Sequence, residues 1–327
     1  MSRVLGMIRR QKLALMGLAI LAIFGLLATL APYLAPCDPK EMFTPMLPPS
    51  RLHPLGTNDI GQDIFSELLY GARFSLLIGF LSAAASTAIG LWLGLISGYY
   101  DKLGFAIMRM VDIFLAIPRF PLIILMAAFL RPGLKTLVLF FVLFGWSRTT
   151  RLVRSQILSE RNKEYVDAAR LVGASDFRIL GRHLLPSAIP IALVRFIMEF
   201  QHVILAESGL SFLGLGDPTV KSWGTILHYA FEYPTIFISD VWVRWVVPPG
   251  ACITLMVLAL TFVGFSLEEW SNPRLSRPQT FSEGGSLTIS FARERLPRLL
   301  TGDEKLASLR RRSAGMVART ATRLRSD

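Results

Sequence analysis

Three stretches without a charged side chain set the limits on this chain: Leu13 to Cys37, Phe74 to Tyr100 and Trp245 to Leu267. Roughly 20 consecutive apolar residues in a helix cross the roughly 30 Å hydrocarbon layer of a bilayer, and each stretch is long enough. The composition agrees, with 52% hydrophobic residues, 18% charged residues and a mean hydropathy of +0.49. Those values exclude a disordered chain and disfavour a water-soluble enzyme. The expected fold class is all-α, a polytopic membrane protein.

The middle of the chain needs more argument. Thr136 to Ser147 is too short to cross by itself, so a span from about Arg131 to Leu152 must let its terminal cations snorkel. The segment from about Phe105 to Leu130 carries Arg109, Asp112 and Arg119 and is interrupted by Pro118 and Pro121, which predicts a kinked or broken helix facing protein or water. Ser187 to Leu213 carries Arg195, Glu199, His202 and Glu207, and these must avoid lipid. The count is six spans, or four if both middle segments are re-entrant. Within the second span, Ser86, Gly90, Gly94 and Gly98 recur every fourth residue and form a face for close helix packing.

The formal net charge is +12, and its distribution reads as topology rather than as nucleic-acid binding. Arg3, Arg9, Arg10 and Lys12 precede the first span. Eight Lys/Arg lie between Arg148 and Pro186, and twelve follow from Ser271 onward, against two in each of 36–72, 131–135 and 214–244. The N-terminus (1–12), the central loop and the C-terminus are therefore expected in the cytoplasm. A cleaved leader is the alternative for the first span, but its apolar run is too long and Pro32 and Pro36 crowd the cleavage zone. The expected order is a first span at 13–35, an outer loop at 36–72, a five-span core at 73–270 with a coupling loop at 156–186, and a basic tail at 271–327. Cys37 and Cys252 offer neither a disulfide framework nor metal-ligand spacing.

The central loop reads Glu164-Tyr-Val-Asp-Ala-Ala-Arg-Leu-Val-Gly173, then Ala-Ser175-Asp and a run ending His183-Leu-Leu185-Pro186. Gly173 suits a helix C′ position and Ser175 an N-cap, which predicts two short helices joined by a tight turn, the second stopped by Pro186. Ala168 and Ala169 leave a shallow surface for a partner, and force applied there can reach the adjoining spans. The alternatives are an ordinary interfacial loop and a DNA-reading helix-turn-helix, the latter disfavoured because flanking spans would hold a duplex against the bilayer.

Asp167-Ala168-Ala169, three residues, Gly173, nine residues, then His183-Leu184-Leu185-Pro186 resembles the coupling-loop motif of binding-protein-dependent ABC importer permeases, with Asp167 where the family usually has Glu. His53 to Asp63, Ser147 to Gln156 and Leu205 to Gly216 are similar to the dipeptide/oligopeptide/nickel permeases, specifically their second permease subunit, and the similarity covers about residues 1 to 275. It implies a type I importer fold with six spans and the coupling helix between spans four and five. It also implies pairing with a second homologous permease, docking of one of the complex's two ATPases through Glu164, Asp167, Ala168, Ala169, Gly173, Ser175, His183, Leu185 and Pro186, and delivery by an extracytoplasmic solute-binding protein. The chain lacks a G-x-x-x-x-G-K-[ST] phosphate cradle, so no cofactor is expected on it and ATP and Mg are expected on partner subunits. A stand-alone channel or secondary transporter is the alternative, and the cargo, whether peptide, nickel or another solute, is left open.

Several residues carry separate expectations. Arg119 is expected to line the translocation path and meet an anionic group such as a peptide carboxylate, or else to snorkel along a kinked helix. Glu199 and Glu207 share an approximate helical face and are path candidates; a structural pair of Glu199 with Arg195, four residues away, competes. His202 reads as a packing group, and Arg109 and Asp112 as structural partners of each other or of another helix. His53, Asp59 and Asp63 could ligate a metal, but a folded cap turning at Gly56 and Gly61 is the stronger reading. Asp101 and Asp217 superficially suggest an aspartyl protease, yet the topology separates them by a membrane thickness. The basic tail is expected to be solvated or to touch anionic lipid headgroups.

Overall fold

The computed structural model describes residues 2–130 and 133–271; the basic tail beyond 271 and residues 131–132 of an expected outer loop lie outside the described residues. Every regular element among the described residues is helical. In chain order they are α1 (Ser2–Leu34), α2 (Ile64–Tyr99), α3 (Asp101–Ala116), α4 (Arg119–Phe129), α5 (Leu134–Glu160), α6 (Glu164–Leu171), α7 (Asp176–Arg178), a π-helical turn (Ile179–Leu184), α8 (Leu185–Phe212), α9 (Trp223–Glu232), α10 (Val241–Trp245) and α11 (Val247–Ser271).

Five helical stretches are long and apolar enough to cross a membrane, and α3 with α4, bent by 78° at Ile117–Pro118, completes six if the two limbs count as one span. Proline at 118 lacks the N–H that would continue α3, and the residue before it is pushed out of the helical region, so the break falls there. The fourth crossing is longer than the charge-free run suggests, because α5 continues through Arg148, Arg151 and Arg154 to Glu160. This leaves Arg161–Ser175 as the link to the next long helix.

The tightest pairing is between α2 and α5, along the small-residue stripe. A Cβ at Gly90 would stand 2.6 Å from Thr149 Cβ, one at Gly94 2.5 Å from Val153 Cβ, and one at Gly98 2.6 Å from Ile157 Cβ. Ser86 lies against Gly145 one step along, donating to the Ser82 carbonyl at 2.6 Å. With hydrocarbon on both sides of the comparison, burial gives helices little reason to associate in lipid, so close backbone approach has to supply the contact energy. The remaining core is apolar: Ile78, Phe140, Phe141 and Val203 join α2, α5 and α8, while Phe24, Phe200, Trp223 and Leu260 join α1, α8, α9 and α11.

The segment before α2 folds as a cap. Gly56 and Gly61 take positive φ of 78° and 90°, and a Cβ at either would strike the carbonyl of Leu47 or Phe43. Asp63 caps α2 by accepting from the Ser66 amide at 2.8 Å, and its other oxygen meets His53 Nδ1 at 3.1 Å. Buried Glu67 pairs with Lys221 at 2.6 Å and accepts from Asn58, tying the cap to the loop before α9. These two carboxylates serve protein contacts, as a folded cap requires.

Candidate functional site: a knuckle and a charged cavity

The link Arg161–Ser175 and the start of the following helix form a knuckle. The end of α6 is a Schellman motif: the Gly173 amide donates to the Arg170 carbonyl at 2.9 Å and the Ala174 amide to Ala169 at 3.0 Å, with Gly173 at φ +85°. Ser175 takes the N-cap position of α7 without a side-chain bond. Glu164, Asp167 and Ala168 are exposed and Ala169 half-buried; Arg170 donates to Asp167 at 3.0 Å. His183 is half-buried beside the Tyr165 ring, Leu185 is half-buried and Pro186 exposed.

The expectation that Pro186 stops the second short helix is overturned: α7, the π turn and α8 run without interruption from Asp176 to Phe212. The π turn explains the tolerance. Leu185 donates to the Leu180 carbonyl, five residues back, so the widened turn relieves the demands an ordinary α-helix makes of a proline near its start. The knuckle is thus the end of the same rod that forms the fifth crossing.

Three apolar side chains that the sequence reading left out stand at its tip: Leu171, Val172 and Phe177 are 89%, 89% and 85% exposed. Apolar residues inside an otherwise charged stretch were the available signal. Beneath them Val166, Ile179 and Leu184 are buried with Leu95, Val153 and Ile157 of the α2–α5 pair. Polar ties fix the rest. Tyr99 donates to Asp176 at 2.6 Å and Tyr100 to its other oxygen at 3.2 Å, Arg170 stacks over the Tyr99 ring, and Arg161 donates to the Gly98 and Tyr99 carbonyls and to Asp101 at 2.8 Å. A cation on the last carbonyls of α2 also suits the negative end of that helix. Partial desolvation, then the hydrogen bond to Glu160 at 2.8 Å, pushes the Tyr165 hydroxyl up to about 12.

A second feature lies among the spans. Arg119, at the first position of α4, donates to Glu199 of α8 at 2.5 Å and approaches the Phe141 carbonyl. The structural pair expected for Glu199 with Arg195 is therefore replaced: the break before α4 brings Arg119 to the carboxylate, and Arg195 instead meets Met198 Sδ at 3.4 Å. Glu207 is separate from this group. It is fully buried and accepts from Ser211 at 2.8 Å and from Ser75 at 3.2 Å. Asp112 is bonded across to Arg151, and Arg109 stacks on Phe105. A cavity of about 590 Å³ opens beside Arg119, lined also by Arg148 of α5 and His202 of α8.

A helical bundle that crosses the membrane, holds charge along an open cavity between its helices and carries a rigid knuckle on one of its spans has the architecture of a transport permease. Residues 86–277 match the family described as the binding-protein-dependent transport system inner membrane component, and residues 1–53 match the N-terminal transmembrane domain of oligopeptide transport permease C. The di/tripeptide transport system permease protein DppC of Pseudomonas aeruginosa (strain UCBPP-PA14) is 38% identical over 276 residues, 81% of this chain and 89% of that one. The dipeptide transport system permease protein DppC of Bacillus subtilis (strain 168) is 34% identical over 274 residues, 83% of this chain and 84% of that one. Among solved structures, a chain of the MetNI methionine ABC transporter in an inward-facing conformation matches with a TM-score of 0.47 and 19% identity, covering 65% of this chain and 97% of that one. The chain belongs to the binding-protein-dependent inner-membrane permease family, whose members are transport subunits of ABC importers and not themselves enzymes.

Proposed function

We propose that this chain forms half of the translocation path of a peptide importer. A second, related permease supplies the other half, two ATPases bind from the cytoplasm and a solute-binding protein delivers cargo from outside. Both termini face the cytoplasm in this reading. Peptide as cargo is supported by the names of the relatives and by the match to an oligopeptide permease domain. ATP and Mg belong on the partner subunits. The observation that carries the reading is the exposed apolar tip Leu171–Val172–Phe177 on a knuckle continuous with a spanning helix, since a solitary channel or secondary transporter has no use for it. Glu164, Asp167, Ala168, Ala169 and Gly173 shape this docking surface, Ser175, His183, Leu185 and Pro186 its join to α8, and Arg119 with Glu199 the wall of the path. Glu207, once a path candidate, is assigned to packing because its oxygens are taken by serines.

The test is purification of the tagged chain from membranes in mild detergent with identification of its companions. A second permease and ATPases should be recovered with it, and Gly173→Pro and Asp167→Lys should abolish ATP-driven uptake while the chain still inserts. Recovery of the chain alone, conducting in liposomes without ATP, would replace this reading with a channel or secondary transporter.

A further inference from the structure

The cavity at the α3–α4 break has unbalanced charge. It is lined by Arg119, Phe120 and Pro121 from the first turn of α4, by Arg148 from α5, and by His202 and Ala206 from α8. Arg119, Arg148, Arg195 and Glu199 all lie close enough to His202 to act on it electrostatically, three cations against one carboxylate. That carboxylate is engaged by Arg119 at 2.5 Å. Arg148, which is exposed to the cavity, makes no hydrogen bond or ion pair among the described residues.

A guanidinium at membrane depth without a counter-ion is costly unless water or a passing anion meets it. The backbone adds to the same field. No side chain caps the start of α4; the amides of Arg119 and Phe120 have no acceptor within the helix and carry the positive end of its dipole, while Pro121 has no N–H and the Leu122 amide bonds the Pro118 carbonyl. A broken transmembrane helix whose N-terminal end opens onto a cavity is a physical means of meeting anionic solute groups inside a membrane.

We propose that this cavity is an anion site in the translocation path, in which Arg148, the open end of α4 and His202 hold a carboxylate of the cargo while Arg119 stays paired with Glu199. The proposal rests on the reading of the chain as a peptide permease and gives it a chemical preference at the membrane interior, for peptides with a free C-terminus. The fork of a guanidinium matches a carboxylate at two oxygens. An exposed Arg148 holds a carboxylate less tightly than a buried one would, which lets the cargo leave.

The experiment uses the full chain with Cys37 and Cys252 replaced by serine and Ala206→Cys placed in the cavity wall. Its modification rates by the anionic ethylsulfonate and the cationic ethyltrimethylammonium methanethiosulfonates are compared in detergent. The sulfonate should be favoured roughly tenfold over its ratio with free cysteine, as local field enhancement predicts. Arg148→Gln should remove the preference and Arg148→Lys should keep it. Dialanine should slow sulfonate labelling and its C-terminal amide should not. Absence of a sulfonate preference, or its survival in Arg148→Gln, overturns the site; equal protection by both peptides, or by neither, overturns the cargo assignment. None of these readings depends on ATP or on a partner, so failure of the transport assignment would show separately, as no ATP-driven dialanine uptake by the wild-type assembly.

Discussion

The hydroxyl of Tyr99 donates to Asp176 at 2.6 Å, and this bond ties the C-terminal end of α2 to the first residue of the rod that becomes α8. Tyr100 doubles the tie from the next position. The start of the knuckle's rod is therefore joined to two spans at once. Replacing both tyrosines by phenylalanine should leave the fold within about 1 kcal/mol of its stability, because the groups are exposed to solvent. Uptake per ATP hydrolysed by the reconstituted complex should fall several-fold; an unchanged ratio would remove this tie from the coupling route.

The tip itself should behave differently. Leu171→Ser and Phe177→Ser alter side chains that are 89% and 85% exposed, so unfolding should shift by no more than about 0.5 kcal/mol. Recovery of the ATPase with the tagged chain should drop sharply. Retention of the ATPase by the double variant would argue for docking elsewhere.

At Gly94 two effects oppose each other. Alanine improves helix propensity by about 1 kcal/mol, but its Cβ would stand 2.5 Å from Val153 Cβ and force α2 away from α5. Overpacking of this kind costs about 1–3 kcal/mol, so a net loss is expected and Gly94→Leu should be worse. Gly25→Ala, where a Cβ meets nothing within 4 Å, is the control expected to stay neutral or gain. Thermal unfolding in detergent reads all three.

Glu199 is 1% exposed and Arg119 18%, so neutralising either leaves its partner stranded. Arg119→Met and Glu199→Met should each destabilise by about 3–5 kcal/mol, and the double variant should recover much of that loss. A double-mutant cycle showing no coupling would mean the pair contributes nothing specific. Arg195→Met, lacking the ion pair that helical spacing suggested, should cost less than Arg119→Met.

These contrasts locate what the sequence could reveal. Charge-free runs disclose spans because lipid tolerates little else, and Gly173 discloses a helix end because its backbone conformation is local. Ser86, Gly90, Gly94 and Gly98 lie on one face by helical period alone, although the period does not say that α5 is the neighbour. The partner of Glu199 was hidden, since the i,i+4 pattern pointed to Arg195 and only the bend before α4 brings in Arg119 across 80 positions. Pro186 misled for the opposite reason: a local rule was sound for an α-helix and was evaded by a π turn. Arg148 reads from the sequence only as a cation snorkelling at the end of a span, because the lack of a partner is a property that no spacing displays.

That long separation also orders the assembly of the protein in time. Synthesis delivers Arg119 well before Glu199, so α4 reaches the insertion machinery with its guanidinium uncompensated, and only the arrival of α8 closes the pair. Until then the α3–α4 limb has reason to linger near water. The ion pair at its start thus joins a residue made early to one made late, with the Phe141 carbonyl the earlier of the two contacts to be synthesised.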